Sequence, residues 1–174
     1  PGGIFSAYEL MKLRPELKVV VLEAGQPLEK RKCPIDGKKI KNCIHCKSYG
    51  IMNGFGGAGA FSDGKYNITN QFGGTLHEYI GKREAIDLMK YVDDINMSHG
   101  GEGTKLYSKA NTEIKKTCLQ NDLHLLDASV RHLGTDINYV VLENLYNELK
   151  DKVEFHFMTP VETVAKSGDG YVVK

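Results

Sequence analysis

The stretch PGGIFSAYELMKLRPELKVVVLEAG, Pro1–Gly25, decides how the fold is read. Ile4, Ala7, Tyr8 and Met11 recur at the i, i+3, i+4, i+7 spacing of one helical face. A helix is expected over Ile4–Leu13, stopped by Pro15, which cannot continue an i→i−4 ladder. Lys18–Leu22 (KVVVL) is a continuous apolar run of strand length, suited to a parallel strand covered on both faces. Glu23 follows at its C-terminal end. Helix, strand and terminal acid in this order form the second half of a dinucleotide-binding unit, which reads strand, G-x-G-x-x-G, helix, strand, acid. Gly3 takes the place of the last fingerprint glycine, which permits close helix–strand packing, and the helix N-terminus faces a pyrophosphate. Glu23 stands twenty positions beyond Gly3, where a carboxylate accepts a hydrogen bond from a ribose 2′-OH. The alternative is a helix–strand unit that happens to start beside glycine. The sequence opens without methionine and enters the helix at once, so we expect a longer chain, with the first strand and first two fingerprint glycines upstream.

A second stretch asks for the same ligand. NGFGGAGAFSDGK, Asn53–Lys65, holds Gly54, Gly56, Gly57, Gly59 and Gly64. Each glycine costs about 0.5–1 kcal/mol of extra ordering entropy inside regular structure. Bare backbone returns that cost where it must run flat against a ligand and aim its N–H groups at a phosphate or an electronegative ring edge. Phe55 and Phe61 would anchor the run in the core. Ala58, Ala60 and the absence of Lys or Glu before Asp63 argue against a plain solvent loop.

Further along, periodicity predicts a short helix from Leu76 to Tyr79 and an amphipathic helix over Arg83–Met97. Ile86, Met89, Val92 or Tyr91, and Ile95 form its apolar stripe, and Gly100, Gly101 and Gly103 end it. Thr112–Gln120 reads as a helix capped by Asn111. His124–Val130 reads as a strand. Gly134-Thr135-Asp136 reads as turn and cap before a helix over Ile137–Lys150, with Val141, Leu142, Leu145 and Leu149 inward. Val153–Met158 reads as a strand. Thr163–Ala165 and Tyr171–Val173 form a hairpin around Ser167-Gly168-Asp169-Gly170. The expected fold class is α/β: a Rossmann-like fold with a parallel sheet and a small antiparallel β layer. Ala24–Ser48 is polar and irregular, and residues 26–48 form a cysteine-rich excursion from one domain spanning residues 1–174.

The 174 residues suffice for a domain with a real core. A net charge of +1 argues against a dedicated nucleic-acid binder. No apolar run approaches the roughly 20 residues that span a bilayer, and no secretory leader pattern is visible. Four cysteines, three of them close together, do not form a secreted disulfide framework, so a reducing cytoplasm is expected.

The succession PGGIFSAYEL, VVVLEAG, CPI, C-x-x-C, IMNGFGGAGAFSDGKYN and RHLGTD resembles the FAD-dependent dehydrogenase family known as NAD(FAD)-utilizing dehydrogenases. More distantly it is similar to glutathione-reductase-like flavoproteins with two dinucleotide-binding domains. The resemblance runs over nearly the whole chain, and GGAGAFSDGK is its most specific block. It implies an FAD-binding fold that is incomplete here, lacking the first strand and the closing C-terminal glycine-aspartate motif of relatives, so that FAD is absent or weakly held. It implies Gly2 and Gly3 at the FAD pyrophosphate, and Glu23 and Ala24 at the adenosine ribose. Lys30 or Arg31 supplies a basic group near the cofactor. Gly56, Gly57, Ala58, Gly59 and Ala60 run along the pyrophosphate and isoalloxazine, with Ser62 and Asp63 near the ribityl chain or ring edge. Val161 meets adenine through its backbone. The activity implied is hydride or electron transfer through the flavin, with NAD(P)H as electron partner and a small-molecule substrate.

Cys33, Cys43 and Cys46, with His45 between the last two, leave open a structural metal site, a redox pair or plain thiols. Cys118 falls on a helix and reads as a buried thiol. Arg131 and His132, at a strand end, would bind an anionic substrate or donate a proton, or else make turn hydrogen bonds. Two other functions are consistent with these residues. One is a non-catalytic module with the cysteine loop folded on zinc and the glycine loop on a partner or RNA. The other is a Rossmann protein using NAD alone.

Overall fold

A computed structural model describes residues 1–108 and 111–174. The chain divides into two compact units, one of residues 1–61 and 142–174, the other of residues 62–141. The architecture is mixed α/β, with a two-stranded parallel sheet and two small antiparallel sheets.

In the first unit, helix α1 (Gly2–Leu13) leads to strand β1 (Val19–Leu22). The apolar face read from the sequence buries Ile4, Ala7 and Met11. Strand β1 pairs in parallel with β5 (Val153–His156), in the register Val19↔Val153 to Leu22↔His156. Glu23 extends this ladder by one bond, its N–H donating to His156 O at 2.9 Å. The expectation that β1 is covered on both faces is not met. Val20 is 47% and Leu22 38% exposed at alternate positions, so one face of β1 is left open. The final hairpin, β6 (Val164–Ser167) with β7 (Gly170–Val173), forms as expected and is exposed throughout. Strand β5 ends two residues earlier than anticipated, so Val161 lies in the connection to β6.

The core of this unit is aromatic. Phe55, 3% exposed, meets Tyr146 edge-on at 5.2 Å and Phe155 at 5.9 Å, and Phe155 stacks on Phe157 at 6.0 Å. Burying one such ring contributes about 1.5–3 kcal/mol, with edge contacts adding about 0.5–1.5 kcal/mol. Tyr146 belongs to helix α5 (Gly134–Leu149), whose Leu145 and Leu149 are 1% exposed.

The second unit holds an antiparallel sheet in the order β2-β4-β3, with β2 at Lys65–Ile68, β3 at Leu106–Ser108 and β4 at Ser129–His132. Periodicity did not indicate β2 or β3, because three or four residues are too short a window for alternation to stand out. It placed β4 at His124–Val130, and the pairing register shifts it to Ser129–His132, with Tyr66↔Arg131 and Leu106↔Arg131. Arg131 and His132 are therefore inside a strand. Helices α2 (Leu76–Ile80), α3 (Lys82–Asn96) and α4 (Thr112–Gln120) complete the unit. Asn111 caps α4 as expected, its Oδ1 accepting from Glu113 N and Ile114 N at 3.1 Å. Helix α5 begins at Gly134, so Asp136 sits in its first turn and does not precede it as a cap. Gly100, at φ 118°, turns the chain away after α3.

The sheet is fastened to α3 by a buried ion pair. Arg131 donates from Nε and Nη2 to Asp93, at 2.7 Å for the closest contact of each, and from Nη1 to Thr104 O. The two side chains are 12% and 7% exposed. Asp93 holds the Arg131 guanidinium above its ordinary pKa through this hydrogen-bonded contact. Arg131→Met should therefore destabilise the protein by about 3–5 kcal/mol in urea unfolding, because Asp93 would remain buried without its partner.

Candidate functional site

The candidate site lies in the first unit, where the start of α1, the end of β1 and the glycine run come together. Its organiser is Arg31. The chain leaves β1 at Glu23, makes one short helical turn at Leu28–Lys30, and delivers Arg31 into the interior at 4% exposure. Its Nε donates to Gly50 O at 3.0 Å and Nη2 to Ile51 O at 2.8 Å. Nη1 donates to Phe55 O at 2.6 Å and Gly57 O at 2.8 Å. The guanidinium carbon lies 4.9 Å from the centre of the Phe61 ring. One side chain thus serves four carbonyls and an aromatic face. Burial pushes the guanidinium below its ordinary pKa, and the charge of Glu23 works in the opposite direction.

This arrangement explains the glycines individually. Gly54 has φ 121°, and a Cβ there would lie 2.6 Å from Arg31 Cδ and from Gln26 O. Gly56, at φ 86°, would collide with Leu142 at 2.7 Å. Gly57, at φ 63°, would meet Pro1 Cδ at 3.0 Å, which sets the run beside the first residue of α1. Gly25 would meet the backbone of Asn53 at 2.6 Å, which sets the end of β1 against the same run. These four residues are required by positive φ or by close packing of backbone on backbone. Gly59 is different: it is exposed, and a Cβ on it meets nothing within 4 Å. Residues Ala58–Phe61 wind into a helical turn, with Ala60 fully buried, so the run is not extended along its whole length.

The other sequence-derived residues fall into place around this frame. Gly2 and Gly3 form the exposed first turn of α1, which has no side-chain cap and no acidic residue. A Cβ on Gly3 would sit at an ordinary 3.9 Å from Val21, so close packing does not demand glycine there. Glu23 is half-buried, and its Oε1 accepts the Gly25 N–H at 2.8 Å. Ala24 is exposed next to it, as is Lys30. Arg31 faces backbone carbonyls, and Gly56 and Ala60 face the interior, leaving Gly57, Ala58 and Gly59 as the accessible part of the run. Val161 is 44% exposed.

The remaining candidates lie elsewhere. Arg131 is committed to Asp93 and Thr104 in the second unit, and His132 is exposed beside it. Cys33, Cys43 and Cys46 are exposed free thiols, and Cys118 is partly exposed on α4. Among the described residues, no group of three or more His, Cys, Asp or Glu is arranged to hold a metal ion. An open groove of about 410 Å³ in the second unit is lined by Thr69, Asn70, Gln71, Lys82, Asp127 and Ser129, and includes none of the candidate site residues. No helix among the described residues is long and apolar enough to cross a membrane.

The role of Arg31 as a clamp was not visible in the sequence. Its carbonyl partners lie 19 to 26 positions away, and a lone arginine in a basic loop carries no sign of burial. No family model matches the chain, and no curated protein or solved structure shows significant similarity to it.

Removing the clamp takes its donors away from the carbonyls of Gly50, Ile51 and Phe55, at about 1–3 kcal/mol for each that is left unpaired, whereas Gly57 O keeps Ala60 N at 3.3 Å. Arg31→Met should therefore destabilise the protein by about 3 kcal/mol or more. Gly54→Ala, which meets both a strained φ and Arg31, should cost about 2 kcal/mol or more, whereas Gly59→Ala should stay within about 0.5 kcal/mol. Urea midpoints at equal m-values would rank the three variants.

Proposed function

We propose that this chain is part of an FAD-dependent oxidoreductase and that its first unit receives the adenine-dinucleotide end of the cofactor. The observation that carries the reading is the convergence of an uncapped helix start, a parallel-strand terminus with a carboxylate, and the small accessible residues Gly57, Ala58 and Gly59. In open α/β sheets, ligands gather beyond the carboxyl ends of strands, and helix N-termini favour anions. The residues fit such a group. A Cβ on Gly2 has open space around it, so neither Gly2 nor Gly3 obstructs a pyrophosphate approaching the first turn of α1. Gly57, Ala58 and Gly59 would flank that pyrophosphate. Glu23 keeps Oε1 on Gly25 N and would offer Oε2 to a ribose hydroxyl, beside the small Ala24. Arg31 would act through the loop it holds, as a positioning residue. When bound, FAD would supply two-electron acceptance, and NAD(P)H is the electron partner that the resemblance implies. A reducing cytoplasm suits the free thiols.

The expected result in equilibrium dialysis or flavin-fluorescence titration is weak, saturable FAD binding by the chain, displaced by ADP. Glu23→Gln keeps an acceptor for Gly25 N but loses the charge offered to the ribose. It should weaken FAD binding by about 1.5–3 kcal/mol, roughly ten- to a hundredfold, with little change in the urea midpoint. No binding of FAD or ADP at millimolar concentration would defeat the proposal, and binding of NAD with none of FAD would replace it with the NAD-only reading.

A further inference from the structure

Cys33, Cys43 and Cys46 line one small, partly open pocket, with Ile44 and Tyr49 among its other walls. All three thiols are free, and all three residues are exposed. The turn between them is well fixed. Asp36 Oδ1 accepts the N–H groups of Lys38, Lys39 and Ile40 at 2.8, 2.8 and 2.9 Å, and Ile40 O accepts from Asp36 N at 3.1 Å and Gly37 N at 3.3 Å. The turn closed between Asp36 and Ile40 stands three positions after Cys33 and three before Cys43, so the two residues flank it symmetrically in the chain. His45 adopts φ 50°, and its N–H donates to Cys43 Sγ at 3.4 Å, fixing that side chain within the bend. The base of the excursion is pinned where Arg31 Nε donates to Gly50 O. A pinned loop that carries three accessible thiols on one pocket is suited to sulfur exchange.

We propose that this cluster of exposed thiols is an exchange site for low-molecular-weight disulfides, with Cys33 and Cys43 as the pair that closes. The Cys43 thiolate, its proton lost to solvent, attacks one sulfur of the reagent. The reagent S–S bond breaks, one reagent thiolate leaves and takes up a proton, and a mixed disulfide remains on Cys43. The Cys33 thiolate then attacks Cys43 Sγ, the mixed bond breaks, and the second reagent thiol leaves. Two protein thiols are oxidised and one reagent disulfide is reduced to two thiols, so electrons and protons balance. This proposal stands independently of the flavin reading.

The test equilibrates the reduced protein with graded ratios of glutathione and glutathione disulfide, quenches with N-ethylmaleimide, and measures intact and peptide masses. The expected product carries two maleimide adducts in place of four, with one bond joining the Cys33 and Cys43 peptides, and excess glutathione reverses it. Cys118→Ser and Cys46→Ser should each retain the bond, whereas Cys33→Ser should leave a glutathione adduct on Cys43. Four adducts at the most oxidising ratio, a bond between Cys43 and Cys46, or a bond to Cys118 would overturn the proposal. The wild-type mapping decides this even where a variant folds poorly.

Discussion

The first unit depends on one buried guanidinium. Arg31 lies at the junction of β1, the cysteine excursion and the glycine run, and donates to carbonyls at Gly50, Ile51, Phe55 and Gly57. Burying a cation is costly unless its donors are met, and here four contacts to backbone oxygens meet them. The planar fork suits this work better than a lysine ammonium, because its donors point in fixed divergent directions. With Gly50 and Ile51 on one side and Phe55 and Gly57 on the other, the clamp closes the chain between them into a compact knuckle. Phe55 then drops into the aromatic cluster with Tyr146 and Phe155.

The glycine run gains two things from its lack of side chains. Gly54, Gly56 and Gly57 use positive φ and close contact to let backbone pass beside Arg31, Leu142 and Pro1. That is a packing role, and it accounts for most of the glycine content on its own. Gly59 has no such packing reason, and it lies with Ala58 on the accessible side of the turn. Ligand contact would therefore concentrate in the short segment from Gly57 to Gly59. The whole run is then a scaffold with a small exposed tip, and the flavin proposal concerns the tip.

In the second unit, Asp93 and Arg131 perform a comparable task. Arg131 stands on the central strand of the three-stranded sheet, paired with both Tyr66 and Leu106, and its side chain reaches α3. A buried ion pair fixes one geometry more than it adds stability, since desolvation offsets much of its attraction. Tyr66 Oη donates to Asn138 Oδ1 at 2.7 Å nearby, so the interior of this unit is held by polar contacts as well as by Ile68, Ile95 and Val141.

The sequence by itself determined the elements whose pattern is local. The apolar faces of α1 and α5, the Asn111 cap and the terminal hairpin were all legible, because helical period, capping chemistry and turn residues act within a few positions. Glu23 at the end of β1 and bare residues at the start of α1 were legible for the same reason. Only the tertiary structure decided that β1 pairs with β5, that β2 and β3 exist, and that β4 takes the register that draws Arg131 onto Asp93. Only it showed that Arg31 binds carbonyls up to 26 positions away and that Gly56 faces Leu142. Such partners are chosen by which buried donor meets which buried acceptor once the chain has closed on itself, and no periodicity along the sequence records that choice.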